Sequence, residues 1–140
     1  MTQQIKKILV PLDGSKNSLR GLDAAIYQAQ KNDAVITGIN VIPKIPPMFE
    51  NQPPHSPIGQ KEAAKIMKEA KKRSSENDVK FQEKIIHGSA GNDIVKFAED
   101  NNFDLITIGA RGISTVKEAF IGSVSHHVTH QSKVPVLIIK

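Results

Sequence analysis

Two glycine groups, nine residues apart, carry the most chemistry in this chain: Gly109-Ala110-Arg111-Gly112 and Gly122-Ser123. The first follows an apolar run, Leu105-Ile106-Thr107-Ile108, that reads as a buried strand; the second precedes Val124 and Val128, which open a helical pattern. A glycine cluster between a strand and a helix is where an α/β protein brings backbone amides close to a phosphate. Gly109 and Gly112 carry no Cβ, so the chain can turn sharply and a ligand can approach its backbone. Gly122 and Ser123 fall where unpaired N–H groups open a helix, with a hydroxyl added. A plain surface loop with glycines in its turns is the competing account. The complete spacing in a strand-to-helix context favours the phosphate reading.

Asp13, in Pro11-Leu12-Asp13-Gly14-Ser15, is a second candidate. It follows a short apolar run (Ile5, Ile8, Leu9, Val10), and its carboxylate can accept hydrogen bonds from an exocyclic amine or a sugar hydroxyl. The alternative is a helix-start acid satisfied by the dipole. Arg111, inside the glycine loop, is a guanidinium beside the expected phosphates, or else a solvent-exposed loop arginine. His126 and His130 share a helical face at metal-ligand spacing, with His127 beside them. No Glu lies between them and no third ligand is close in sequence, so they read as exposed, titrating helix histidines, and no metal site is expected.

The elements that must position these residues follow from periodicity. Leu19, Leu22, Ile26 and Ala29 recur at helical spacing after Ser15, a fitting N-cap. Residues 34–42 are β-rich, with Val35, Ile36, Ile39, Val41 and Ile42. Residues 43–57 hold Pro43, Pro46, Pro47, Pro53, Pro54 and Pro57, and proline's missing donor and fixed φ predict a surface loop, neither helix nor sheet. A helix is expected from about Ile58 to Ser74, a strand through Val79, Phe81, Ile85 and Ile86, and a turn at Gly88-Ser89-Ala90-Gly91 into a third helix. Leu105–Ile108 is the fourth strand, residues 122–132 the fourth helix, and residues 134–139 the fifth strand. Alternating strands and helices predict an α/β fold, an open parallel sheet with helices on both faces. Its crevice lies at the carboxyl ends of the strands, where the winding reverses.

Bulk properties narrow the function classes. A chain of 140 residues with 39% apolar and 24% charged residues fits a single soluble domain, taken as residues 1–140. Cysteine is absent, which excludes disulfides and thiolate zinc sites. No leader-like or membrane-spanning apolar run occurs, so a cytoplasmic, soluble protein is expected. The net charge of +5 sits largely in Lys61, Lys65, Lys68, Lys71, Lys72 and Arg73, and no aromatic residue interleaves them. That is the pattern of a solvated helix face rather than a nucleic-acid platform.

Pro11-Leu12-Asp13-Gly14-Ser15, together with the G-x2-G-x9-G-S pattern of residues 109–123, closely resembles the universal stress protein family in its nucleotide-binding branch. The resemblance covers essentially the whole chain, including Val134-Pro135-Val136-Leu137-Ile138-Ile139 as the last strand, and only the proline-rich stretch after Val41 is particular to this sequence. It implies a five-stranded Rossmann-like sheet of order 3-2-1-4-5, a homodimer, and ATP or AMP in the crevice, with Mg2+ admissible through the phosphates. By matching positions, Asp13 meets the adenine, Val41 supplies backbone contacts to it, and Pro11 and Leu12 form the adjoining wall. Gly109 and Gly112 line the ribose and phosphates, and Gly122, Ser123, Val124 and Ser125 complete the phosphate cradle. The implied role is regulatory and stress-responsive: a dimer whose nucleotide state other proteins sense. The alternative is a slow ATPase, for which the P-loop G-x4-G-K-[ST] is missing. Val136–Ile139, four consecutive apolar residues at a sheet edge, is the expected dimer strand.

Overall fold

The computed structural model describes residues 4–44, 57–112 and 121–140. Five strands, β1 (Lys7–Pro11), β2 (Val35–Pro43), β3 (Phe81–Gly88), β4 (Leu105–Gly109) and β5 (Val136–Ile139), form one sheet in the order β3-β2-β1-β4-β5. Every pairing is parallel. The helices are α1 (Lys16–Asn32), α2 (Pro57–Glu76), α3 (Ala90–Asp100) and α4 (Ser123–Gln131). None of them is long and apolar enough to cross a membrane.

The near-continuous apolar strands are what a sheet covered on both faces requires. Side chains alternate between faces, so each strand feeds two cores. Ile8, Val10 and Ile36 pack with Leu22 and Ile26 of α1 and Met67 and Ala70 of α2. Leu9, Ile39, Ile106 and Ile108 pack with Ile94 and Ala98 of α3 and Val128 of α4. β1 leads outward through α1 to β2, whereas β4 leads the opposite way through α4 to β5. The winding therefore reverses between the neighbours β1 and β4, and a crevice must open at their carboxyl ends.

Three helix-to-strand connections use one device. Asp33, Asp78 and Asn102 each take a left-handed conformation, with φ of 53°, 57° and 55°. The next residue's N–H then donates to the carbonyl five back: Ala34 to Ala29 (3.0 Å), Val79 to Ser74 (2.9 Å) and Phe103 to Ala98 (3.0 Å). Each of those next residues is a buried apolar one, so the turn closes with a hydrophobic contact as well as a hydrogen bond. Asp and Asn replace the glycine usual at this position.

Boundaries differ from the sequence reading in instructive ways. Pro43 is the last residue of β2 and Pro57 the first of α2, so the ends of the proline-rich stretch belong to regular elements. Proline at a helix start loses nothing, because that N–H has no acceptor in the helix. Residues 45–56 lie outside the described residues. Val79 precedes β3 as a core contact in the α2 turn, and β5 begins at Val136 rather than Val134. Gly122 is the N-cap of α4, one residue before the helix.

Because a left-handed Asp is strained where Gly is not, Asp78→Gly should raise stability by about 0.5–1 kcal/mol. Urea denaturation checks this, with an increased midpoint at unchanged slope as the expected result.

Candidate functional site

The crevice between β1 and β4 is prepared from the α1 side. β1 stops at Pro11, Gly14 turns the chain with φ of +88°, and Ser15 caps α1 through its Oγ, which accepts the Ser18 N–H at 3.0 Å. Asp13 Oδ1 accepts the Ser15 N–H at 2.9 Å, which fixes the half-buried carboxylate at the strand end. Leu12 is tied to β2 twice: its N–H donates to Ile39 O at 2.9 Å, and its carbonyl accepts from Asn40 Nδ2 at 2.7 Å.

The β4 side is set by close packing. A Cβ on Gly109 would lie 2.6 Å from both the carbonyl oxygen and Oδ1 of Asn17 in α1. A Cβ on Gly112 would lie 2.7 Å from Asp13 Oδ2. Glycine is therefore required at Gly109 so that the backbone of α1 can lie against the end of β4, whereas at Gly112 it lets the loop approach an Asp13 side chain that can move aside. Asn17 Oδ1 also accepts the Arg111 N–H at 2.6 Å, pinning the loop to α1 across 94 residues of sequence.

From there the chain reaches α4. Gly122 N–H donates to Ala110 O at 2.7 Å, and the buried Ser125 hydroxyl donates to Gly109 O at 2.6 Å. The Ser125 hydroxyl thus spends its proton on the scaffold and keeps only acceptor capacity. The first α-helical bond of α4 runs from His126 N–H to Gly122 O at 2.9 Å. The N–H groups of Ser123, Val124 and Ser125 accordingly have no acceptor within the helix, and Gly122 has no side chain to cap them. These three amides carry the positive end of the α4 dipole, a setting that suits an anion.

All eleven residues singled out from the sequence line one cavity of about 240 Å3. Pro11, Leu12, Asp13 and Val41 form one side, and Gly109, Arg111 and Gly112 lie across from them with the α4 start, Gly122 to Ser125. Residues 113–120, within the nine-residue spacer, lie outside the described residues. Among the described residues, the cavity's charged lining residues are Asp13 and Arg111. Ser18, Ile39, Asn40, Ala90, Ile94 and Ile108 also line it and were not singled out from the sequence as site residues. Asn40, a polar residue in the otherwise apolar end of β2, was the available signal. The others are apolar or small residues whose place depends on the sheet order.

Comparison with known proteins places this geometry among relatives. The family model described as "Universal stress protein family" matches residues 4–140. Universal stress protein YxiE of Bacillus subtilis (strain 168) is 33% identical over 147 aligned positions, covering 96% of this chain and 98% of that protein. The solved structure of protein MJ0577 of Methanocaldococcus jannaschii is 29% identical, with a TM-score of 0.82 and coverage of 99% of this chain and 97% of that one. A universal stress protein solved in complex with cAMP is 26% identical, with a TM-score of 0.78 and 99% of both chains covered.

The two glycines should respond differently to alanine. Gly109→Ala forces a methyl against the backbone of α1 and should destabilise by about 2–3 kcal/mol. Gly112→Ala meets the end of a side chain that can swing aside and should cost less than about 1 kcal/mol. Chemical denaturation of the two variants side by side checks the ranking.

Proposed function

Because the chain belongs to the universal stress protein family, we propose that it is a regulatory adenine-nucleotide-binding protein, one domain over residues 1–140, holding ATP or AMP in the β1/β4 crevice. The observation that carries this reading is the convergence of Asp13, the Gly109–Gly112 loop and the uncapped start of α4 on one cavity. A nucleotide is a flat base joined to an anion. Such a ligand is matched by an acceptor carboxylate and apolar walls at one end and by amides and a guanidinium at the other. Asp13 takes the adenine amine, Pro11, Leu12 and Val41 form the base wall, and Gly109 and Gly112 border the ribose. Arg111 and the Gly122–Ser125 amides take the phosphates, through which Mg2+ can also be held. The 26%-identical relative solved with cAMP supports an adenine ligand.

The second half of the proposal is a cytoplasmic homodimer through β5. Its four residues are each only partly buried, and among the described residues β5 pairs on one side only, with β4. An apolar edge with free backbone groups is satisfied by the same strand of a second copy. Because Ala110 N–H donates to Ile139 O at 2.7 Å, the end of β5 is joined to the glycine loop, giving the crevice a direct link to that edge.

Gly122 has φ of −64° and ψ of 160°, which any residue adopts, so Gly122→Val brings no backbone strain and places a side chain where phosphate must approach. Calorimetric titration with ATP and AMP should show binding by the wild type and at least about a tenfold loss in the variant. Unchanged affinity would remove the phosphate assignment. Asp13→Asn keeps an acceptor for Ser15 N–H and should narrow the preference for ATP over GTP.

Light scattering should give twice the chain mass at tens of micromolar. A monomer there would end the dimer proposal.

A further inference from the structure

Outside the crevice, α4 carries a second grouping of chemistry-bearing side chains. The rings of His126 and His130 are parallel to within 5°, with centroids 6.0 Å apart, and both residues are exposed. His127 is separate from the pair. It is half-buried, and its ring packs against α3, where a Cβ on Gly91 would lie 2.8 Å from it.

The ring spacing decides whether one ion can be shared. An ion about 2.0–2.1 Å from an imidazole nitrogen sits roughly 3.2 Å from that ring's centroid, so two rings can share it up to a centroid separation of about 6.4 Å. The observed 6.0 Å is inside that limit, but the rings are stacked in parallel planes, so each must rotate to aim an in-plane nitrogen at a shared ion. Their backbones are already ordered: His126 N–H closes the first bond of the helix to Gly122 O, and Ser132 N–H donates to Val128 O at 3.0 Å beyond His130. Only side-chain torsions at exposed positions need to change. His130 lies in the last turn of α4, where the helix dipole favours a cation.

We propose that His126 and His130 form a surface site for one borderline divalent transition-metal ion, Cu2+, Ni2+ or Zn2+, held by two imidazole nitrogens with water in the remaining positions. Imidazole ligands select these ions over Mg2+ and Ca2+, which take oxygen. Among the described residues no third side chain completes the site, and the Glu of H-E-x-x-H is missing, which limits the site to binding and leaves it without a general base. The site is independent of the nucleotide reading, since it uses no crevice residue.

The test is calorimetric titration of the full chain with NiCl2, after dialysis and phosphatase treatment to remove any nucleotide that would itself chelate the ion. One Ni2+ per chain is expected, with Cu2+ binding more tightly. His126→Ala and His130→Ala should each weaken binding by about tenfold or more, and His127→Ala should change it by less than about twofold. Circular dichroism confirms that each variant folds. The proposal is overturned by no saturable binding up to about 1 mM Ni2+, or by His127→Ala losing as much affinity as the other two.

Discussion

The crevice depends on how closely α1 lies against the end of β4. Gly21 of α1 approaches so near that a Cβ there would lie 3.1 Å from Gly109 N, and Gly109 in turn has no room for a Cβ beside Asn17. Two glycines facing one another let a helix sit directly on a strand end. Asn17 then converts proximity into register by accepting the Arg111 N–H. Without that contact the loop after β4 would be held from the β5 and α4 sides alone, through Ala110 and Gly109. The α4 start, tied to the same loop through Ala110 O and Gly109 O, would lose its link to α1.

The same arrangement divides labour within single residues. Asp13 uses one carboxylate oxygen to hold Ser15 while the other lies beside Gly112. Ser125 gives its proton to Gly109 O, yet its backbone N–H opens α4 at the cavity. Scaffold and site are therefore made from the same atoms, and substitutions here are best judged by comparing stability with binding.

The periodic elements and the strand-end residues were legible in the sequence because they depend on near neighbours: Ser15 before Leu19 and Leu22, the apolar run 105–108, the alternation of strand and helix. Resemblance to a known family supplied the sheet order, and the structure has that order. What escaped were contacts between residues distant in the chain. Nothing local marks Asn17 as the partner of Arg111, or Gly109 as a packing glycine rather than a ligand-approach glycine. The Asp33, Asp78 and Asn102 turns escaped for a different reason. Their signal is a single Asp or Asn where glycine would have been conspicuous, and its meaning appears only when three helix ends are seen to close alike.

The two edges of the sheet are unlike, and this bears on polymerisation. β3 presents exposed Gln82, Glu83 and Lys84, whereas β5 is apolar from Val136 to Ile139. Were both edges apolar, the β5 of one molecule could join the β3 of the next, head to tail, and the sheet would grow without limit into a fibre. The exposed polar stretch Gln82–Lys84 in β3 makes that heterologous contact unfavourable. In the proposed dimer, strand pairing would go β5 against β5, which would use up the apolar edge in one step and leave the β3 edges facing water.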